Sequence, residues 1–125
     1  MAVTVIWHNP RCSKSRETLA LLHAHGIAPE VRLYLDDPPS GEEIRAALAA
    51  LGCPATGLVR RGEALFRDLG LAGAGEAALI AAMAAHPVLI ERPLVLHGGR
   101  AALGRPPEAV LALFAISSLP QLPRG

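Results

Sequence analysis

VIWHNPRCSKSRETLALL, residues 5–22, changes its periodicity at one point, and that change decides how the chain is read. Before it, VTVIW (3–7) is a short, β-branched, mostly apolar run that suits a buried strand. NPRC then turns the chain. From Ser13 the pattern is helical: Leu19, Leu22 and Ile27 make a stripe widened by Ala20 and Leu21, while Arg16, Glu17 and His25 are left for solvent. Gly26 is the expected stop. Cys12 therefore stands where a strand hands over to a helix. The N–H groups of a helix's first turn have no partners inside the helix, and the helix dipole favours an anion there. A thiol at that place is expected to give up its proton more readily than a free one. Arg11, Lys14, Arg16 and His8 add positive charge nearby. The competing reading is a small structural cysteine in an apolar core.

Two neighbouring positions narrow the chemistry. Ser15 makes the motif C-x-x-S, so the loop has no second thiol. A redox cycle at Cys12 is then monothiol and needs a thiol from outside to complete it. A hydroxyl at Ser15 is placed to donate to a thiolate, or else to bond the backbone of the first turn. A phosphatase-type anion loop, C-x5-R, would need arginine at position 18, which is Thr18.

Working outward, EVRLYL (30–35) alternates and reads as a second strand, which makes a β-α-β unit with parallel strands and a right-handed crossover. In DDPPSGEEIRAALAALG, Ser40 with Glu43 three residues on forms a capping box for a helix running to Leu51. LVRRGEALFRDLGL and GEAALIAAMAAH read as further helices, so residues 36–88 are expected to be mostly helical. RPLVLHGGRAALG is two apolar runs around HGGR, a hairpin signal. PPEAVLALF is expected as a closing helix with its prolines at the start, and AISSLPQLPRG as a loose tail. The order β-α-β, helical block, β-β-α describes an α/β domain with a mixed sheet, the thioredoxin-like fold with a helical insertion between its halves. The whole chain, 1–125, is expected to be a single domain.

Composition agrees with a globular domain: 125 residues, of which 51% are hydrophobic and 18% charged. A net charge of +1 gives no electrostatic case for nucleic acid or an anionic membrane surface, and 3% aromatics leave no stacking platform for single strands. The N-terminal apolar run is too short for a signal peptide. EAALIAAMAAHPVLI is too short to span a bilayer and is interrupted by His86 and Pro87, so the expected location is the cytoplasm. Two cysteines make no disulfide framework, and five scattered histidines show no metal-ligand spacing, so no metal is expected. Cys53, before Pro54, reads as a small core or helix-end residue; an approach to Cys12 would instead allow an internal disulfide.

An oxyanion needs guanidinium groups, which bind it through paired donors. Arg60 in LVRRG, Arg92 in ERPLV and Arg105 in LGRPP stand out by context. Arg92 precedes Pro93 at a strand start, where thioredoxin-like folds place a cis-proline facing the active cysteine.

Taken together, WHNPRCSKSRETL, LYLDDPPS, LVRRGEALFRDLGL, HPVLIERPLVL and GRPPEAVL resemble the ArsC family, the glutaredoxin-coupled arsenate reductases. The blocks follow the family's order at nearly its spacing, from residue 3 to residue 114. The resemblance implies that Cys12 attacks arsenate and that Arg60, Arg92 and Arg105 hold the oxyanion and lower the thiol pKa. It implies that His8 assists thiol activation and that Ser15 hydrogen-bonds to the cysteine. It implies glutathione as a co-substrate, glutaredoxin as a partner, and no tightly bound cofactor. Departures are Trp7 in place of the usual tyrosine, Arg61 beside Arg60, a shorter tail, and Cys53, which matches no catalytic position. Two other readings share these residues. One is a general glutathione-dependent thiol/disulfide reductase, whose anion site would grip a glutathione carboxylate. The other is an Spx-like redox-sensing transcription regulator, against which Ser15 argues because such sensors carry C-x-x-C.

Overall fold

Four short strands build one mixed sheet in a computed structural model that describes residues 3–114. They are β1 (Thr4–Trp7), β2 (Glu30–Arg32), β3 (Leu94–His97) and β4 (Arg100–Leu103), in the order β2-β1-β3-β4. β1 runs parallel to β2, with Ile6 opposite Val31, and antiparallel to β3, with Ile6 opposite Val95. β3 pairs antiparallel with β4. The two central strands carry the apolar runs, and Ile6, Leu94 and Val95 are fully buried. The hairpin turn is Gly98-Gly99, with φ of 57° and 78°. A two-residue turn that matches the twist of its strands needs positive φ at both positions, which glycine adopts without strain.

Helix α1 (Ser13–Ala24) is the crossover from β1 to β2. It buries Leu22 against Ile6, Val95, Val110 and Leu113, and Leu19 and Ile27 pack around that cluster. Val110 and Leu113 come from the closing segment Pro107–Phe114. This segment is a 3-10 helix, not the α-helix its periodicity predicts. Pro106 and Pro107 have no N–H to give, and the first free donor of the turn that is bonded, Ala109, reaches back three residues to Pro106 at 3.0 Å. The β-α-β and β-β-α halves share this sheet, which is the thioredoxin-like fold. The tail expected from Ala115 onward lies outside the described residues.

The chain divides into two compact units: the first runs up to Arg32 and resumes at Arg92, and the second is Leu33–Glu91. The second holds α2 (Gly41–Leu51), α3 (Ala64–Asp68) and α4 (Glu76–Ala85), with 3-10 turns at Ala55–Gly57 and Pro87–Leu89. The capping box that opens α2 is formed: Glu43 N–H donates to Ser40 Oγ at 3.1 Å and Ser40 N–H to Glu43 Oε1 at 2.9 Å. Ile44, Ala47 and Leu48 of α2 and Leu79, Ile80 and Met83 of α4 are the buried faces of the two helices, which pack together.

Two further elements differ from what the sequence pattern predicts. The strand expected over 30–35 ends at Arg32, and Asp36 and Asp37 both turn back onto the Leu33 carbonyl at 3.0 and 2.9 Å. Beyond that point Tyr34 is buried while Leu33 and Leu35 are exposed, so the alternation lands on the opposite face from the aliphatic residues. The helix expected over LVRRGEALFRDLGL is only the five residues of α3. Its first part is extended: Val59 pairs with Ile90, with Arg60 N–H on Leu89 O at 2.7 Å and Glu91 N–H on Leu58 O at 2.8 Å. A β-branched residue followed by Arg-Arg-Gly supports that pairing better than a helix start. Among the described residues no helix is long and apolar enough to cross a membrane, and no three His, Cys, Asp or Glu side chains group as a metal site.

Candidate active site

Cys12 is the residue before the first turn of α1, with extended backbone angles of φ −96° and ψ 123°. The turn that delivers it is closed by Cys12 N–H on Asn9 O at 3.0 Å and by Arg11 N–H on Asn9 Oδ1 at 3.0 Å. An Asn side chain that accepts two residues on is a common way to hold such a turn. Cys12 O then accepts the first helical bond, from Arg16 N–H at 3.0 Å. This is an N-cap position, usually held by Ser, Thr, Asp or Asn, whose oxygen accepts from the free N–H groups of the first turn. Here a half-buried free thiol takes that place.

Burial by itself pushes the Cys12 thiol up. The Ser15 backbone N–H, the Arg92 guanidinium, the Lys14 backbone N–H and the Arg105 guanidinium together pull it down further, and the balance lies below the ordinary thiol range. Arg92 stands two residues before β3 and Arg105 two residues after β4. Arg105 Nη1 donates to the Arg92 carbonyl at 3.1 Å. The Arg92–Pro93 and Arg105–Pro106 peptide bonds are both cis; the second was not expected from the sequence.

His8 and Ser15 form a buried pair at the end of β1. His8 Nδ1 lies 2.6 Å from Ser15 Oγ, and Asn9 N–H donates to the same hydroxyl oxygen at 3.0 Å. His8 N–H is itself fixed on Arg32 O at 2.8 Å. Burial, and then the charge of Arg16, push the His8 imidazole below its ordinary pKa, which favours the neutral ring. From sequence, the Ser15 hydroxyl is placed either on the thiolate or on nearby backbone. In the structure that hydroxyl is engaged with His8 and Asn9, and Ser15 acts on Cys12 through its backbone N–H. The cause is rotation along the helix. Three residues past the cap, the Ser15 side chain reaches His8 and Asn9, while its N–H points out of the helix end.

Arg60 belongs to the second unit, whereas Cys12, His8, Ser15, Arg92 and Arg105 belong to the first. Arg60 is half-buried; its Nη1 donates to Val88 O at 3.2 Å and lies 3.5 Å from Glu63 Oε2, and its Nε is 4.0 Å from Glu91 Oε1. Arg61 is exposed and borders a cavity of about 290 Å³ with Val59, Phe66, Leu71 and Leu79. Cys53, a free thiol, follows the left-handed Gly52 that ends α2, and burial and the charge of Glu76 push it up.

Two residues near the site were not singled out from sequence. Thr18 is fully buried, its Oγ1 donating to Lys14 O at 2.8 Å, and Gly104 is buried against it. The spacing Ser15, Thr18, Leu22 is a helical face, so the signal was present. An apolar stripe drawn through Leu19 and Ala20 passed beside it.

The family model of the ArsC family matches residues 7–113 of this chain. The Escherichia coli K12 protein YfgD is 50% identical over 111 residues, 86% of this chain and 93% of its own. A protein of Neisseria meningitidis serogroup B named arsenate reductase is 48% identical over 112 residues, 87% of this chain and 96% of its own. Among solved structures, one described as an arsenate reductase from Vibrio cholerae superposes with a TM-score of 0.87 at 50% identity, over 89% of this chain and 97% of that one.

Proposed function

The chain belongs to the ArsC family, and from that premise we propose that it reduces arsenate to arsenite with the Cys12 thiolate as nucleophile. The observation that carries the proposal is the placement of Cys12: an N-cap thiol with two arginines pulling its pKa down. Relatives named arsenate reductase, at 48% identity over most of their length, supply the substrate.

The thiolate adds to arsenic and one oxygen leaves as hydroxide, protonated to water, which gives a Cys12–S–As bond. Arg92 and Arg105 neutralise the remaining oxygens as charge shifts onto them, which is where fixed donors lower a barrier most. Arg60 is assigned the third guanidinium on the family match alone. With its pKa lowered, His8 is held toward the neutral ring, so the His8–Ser15 pair fixes the end of β1 without adding a positive charge there. Pro93 is assigned the cis-proline facing Cys12 on the family match, and its bond to Arg92 is cis.

Reduction needs two electrons, and C-x-x-S supplies no second thiol. We assign them to glutathione, which adds to arsenic, and to glutaredoxin, which takes the glutathione away. The sum is arsenate plus two thiols giving arsenite, one disulfide and water, with arsenic falling from +5 to +3. No tightly bound cofactor enters this scheme. The assigned compartment is the cytoplasm, where thiols are kept reduced.

The test is a coupled assay with arsenate, glutathione, glutaredoxin, glutathione reductase and NADPH. Wild type is expected to consume NADPH only when arsenate is present, and Cys12→Ser to consume none. No arsenate-dependent consumption by wild type would sink the assignment. Turnover of mixed disulfides in its place would move the protein to the general thiol reductases.

A further inference from the structure

Three pieces of the first unit converge on a residue with no side chain. Gly104 N–H donates to Pro93 O at 2.9 Å, which extends the β3–β4 ladder by one bond past Leu103. Its α-carbon faces Thr18 of α1 and the ring of Pro93. A Cβ at position 104 would collide with Thr18 Oγ1 and stand 2.7 Å from Pro93 Cγ and 3.0 Å from Thr18 Cγ2. Neither neighbour can give way easily. The Thr18 rotamer is restrained by its hydroxyl bond to Lys14 O at 2.8 Å, and the proline ring has no rotamer to change.

Each piece carries one member of the site. The helix that holds Thr18 is preceded by Cys12 at its N-cap. Pro93 follows Arg92. Gly104 precedes Arg105, whose guanidinium closes the loop by donating to Arg92 O at 3.1 Å. Any displacement of residue 104 away from α1 is therefore passed on to Arg105 one residue later, whose guanidinium is tied at its other end to Arg92 O. We propose that Gly104, through its contact with Thr18 and Pro93, is the positioning residue that sets the Arg105 guanidinium against the Cys12 sulfur. This rests on the Cys12–Arg105 pairing in the proposed function and is independent of which oxyanion is the substrate.

The experiment reads the Cys12 thiol without any arsenate. In a Cys53→Ser background, so that one thiol titrates, the thiolate absorbance is followed against pH for Gly104→Ala, Arg105→Ala and the double variant. Gly104→Ala is expected to lower the thiolate fraction near neutral pH by about threefold. In the Arg105→Ala background the same change is expected to do nothing more, because its route to the sulfur is gone. Full additivity, or an unmoved titration in folded Gly104→Ala, overturns the inference alone. An Arg105→Ala variant with unmoved titration overturns it together with the role of Arg105 in the proposed function. Where circular dichroism shows that Gly104→Ala does not fold, Thr18→Ser takes its place. It removes the methyl that faces Gly104 and keeps the hydroxyl bond to Lys14. A smaller shift in the same direction, absent in Arg105→Ala, supports the inference, and no shift overturns it.

Discussion

The two cysteines stand at opposite ends of two helices, and the ends make them different reagents. Cys12 precedes the first turn of α1, where unpartnered N–H groups and the positive end of the dipole meet Arg92 and Arg105. Cys53 follows the last turn of α2, where carbonyls and the negative end of the dipole meet the carboxylate of Glu76. Both thiols are half-buried, and burial pushes both up. At Cys12 the donors and guanidiniums overcome that; at Cys53 the nearby carboxylate adds to it. Partial burial of a cysteine therefore says little about its chemistry here, and the sign of what surrounds it says most.

The contrast can be broken hardest at the arginines. Arg92→Ala is expected to lower arsenate turnover by about a hundredfold, the scale of losing one donor to a developing oxyanion. Arg61→Ala, at an exposed position in the second unit, is expected to leave turnover within about twofold. Steady-state rates in the coupled assay compare the two, and equal losses would erase the distinction between a site arginine and its neighbour in type.

A smaller effect sharpens the contrast directly. Iodoacetamide at pH 7 is expected to alkylate Cys12 about tenfold faster than Cys53, read by mass spectrometry of the two peptides. The sign follows from the shifts: the Cys12 pKa is lowered, so its thiolate persists as pH falls below the ordinary thiol range, while the raised Cys53 stays protonated there. As pH rises past that range Cys53 is expected to catch up. Parallel profiles for both residues would remove the case for an activated thiol.

The least effect belongs to Glu76→Gln. It removes the charge beside Cys53 and keeps an oxygen to accept from Ala55 N–H, which Glu76 now does at 3.0 Å. Cys53 alkylation is expected to speed up by about twofold only, since the push from burial remains. A rise that brought Cys53 level with Cys12 would show that one carboxylate, and not the helix end, makes the difference.

Much of the fold, and the position of Cys12 in it, was legible because the signals are local. A strand-to-helix change of period at Cys12, Gly-Gly between two apolar runs, and Ser40 with Glu43 each declare a short-range structure, and each is present. The family's blocks tied Arg92 and Arg105 to Cys12 across eighty residues and more, which no periodicity could do. Where a segment's partner lies far along the chain, the local pattern misleads. The pattern around Arg60 is helical, but Val59 bridges Ile90, with Arg60 N–H on Leu89 O and Glu91 N–H on Leu58 O, and that long-range pairing outweighs the local preference. The strand at Glu30 stopped three residues early because Leu33 takes up two turn bonds instead of ladder bonds.

By itself, then, the sequence determined the order of elements, the capped helix starts, the placement of Cys12 at the head of α1 and the absence of a second thiol in its loop. These depend on neighbours within four or five positions, where period and capping chemistry act. Only the tertiary structure decided that the Ser15 hydroxyl turns to His8, that Arg105 is held on the Arg92 carbonyl, and that Gly104 lies bare against Thr18 and Pro93. Those outcomes depend on how closely distant backbones approach, and a close approach is set by packing, which no single stretch of residues contains.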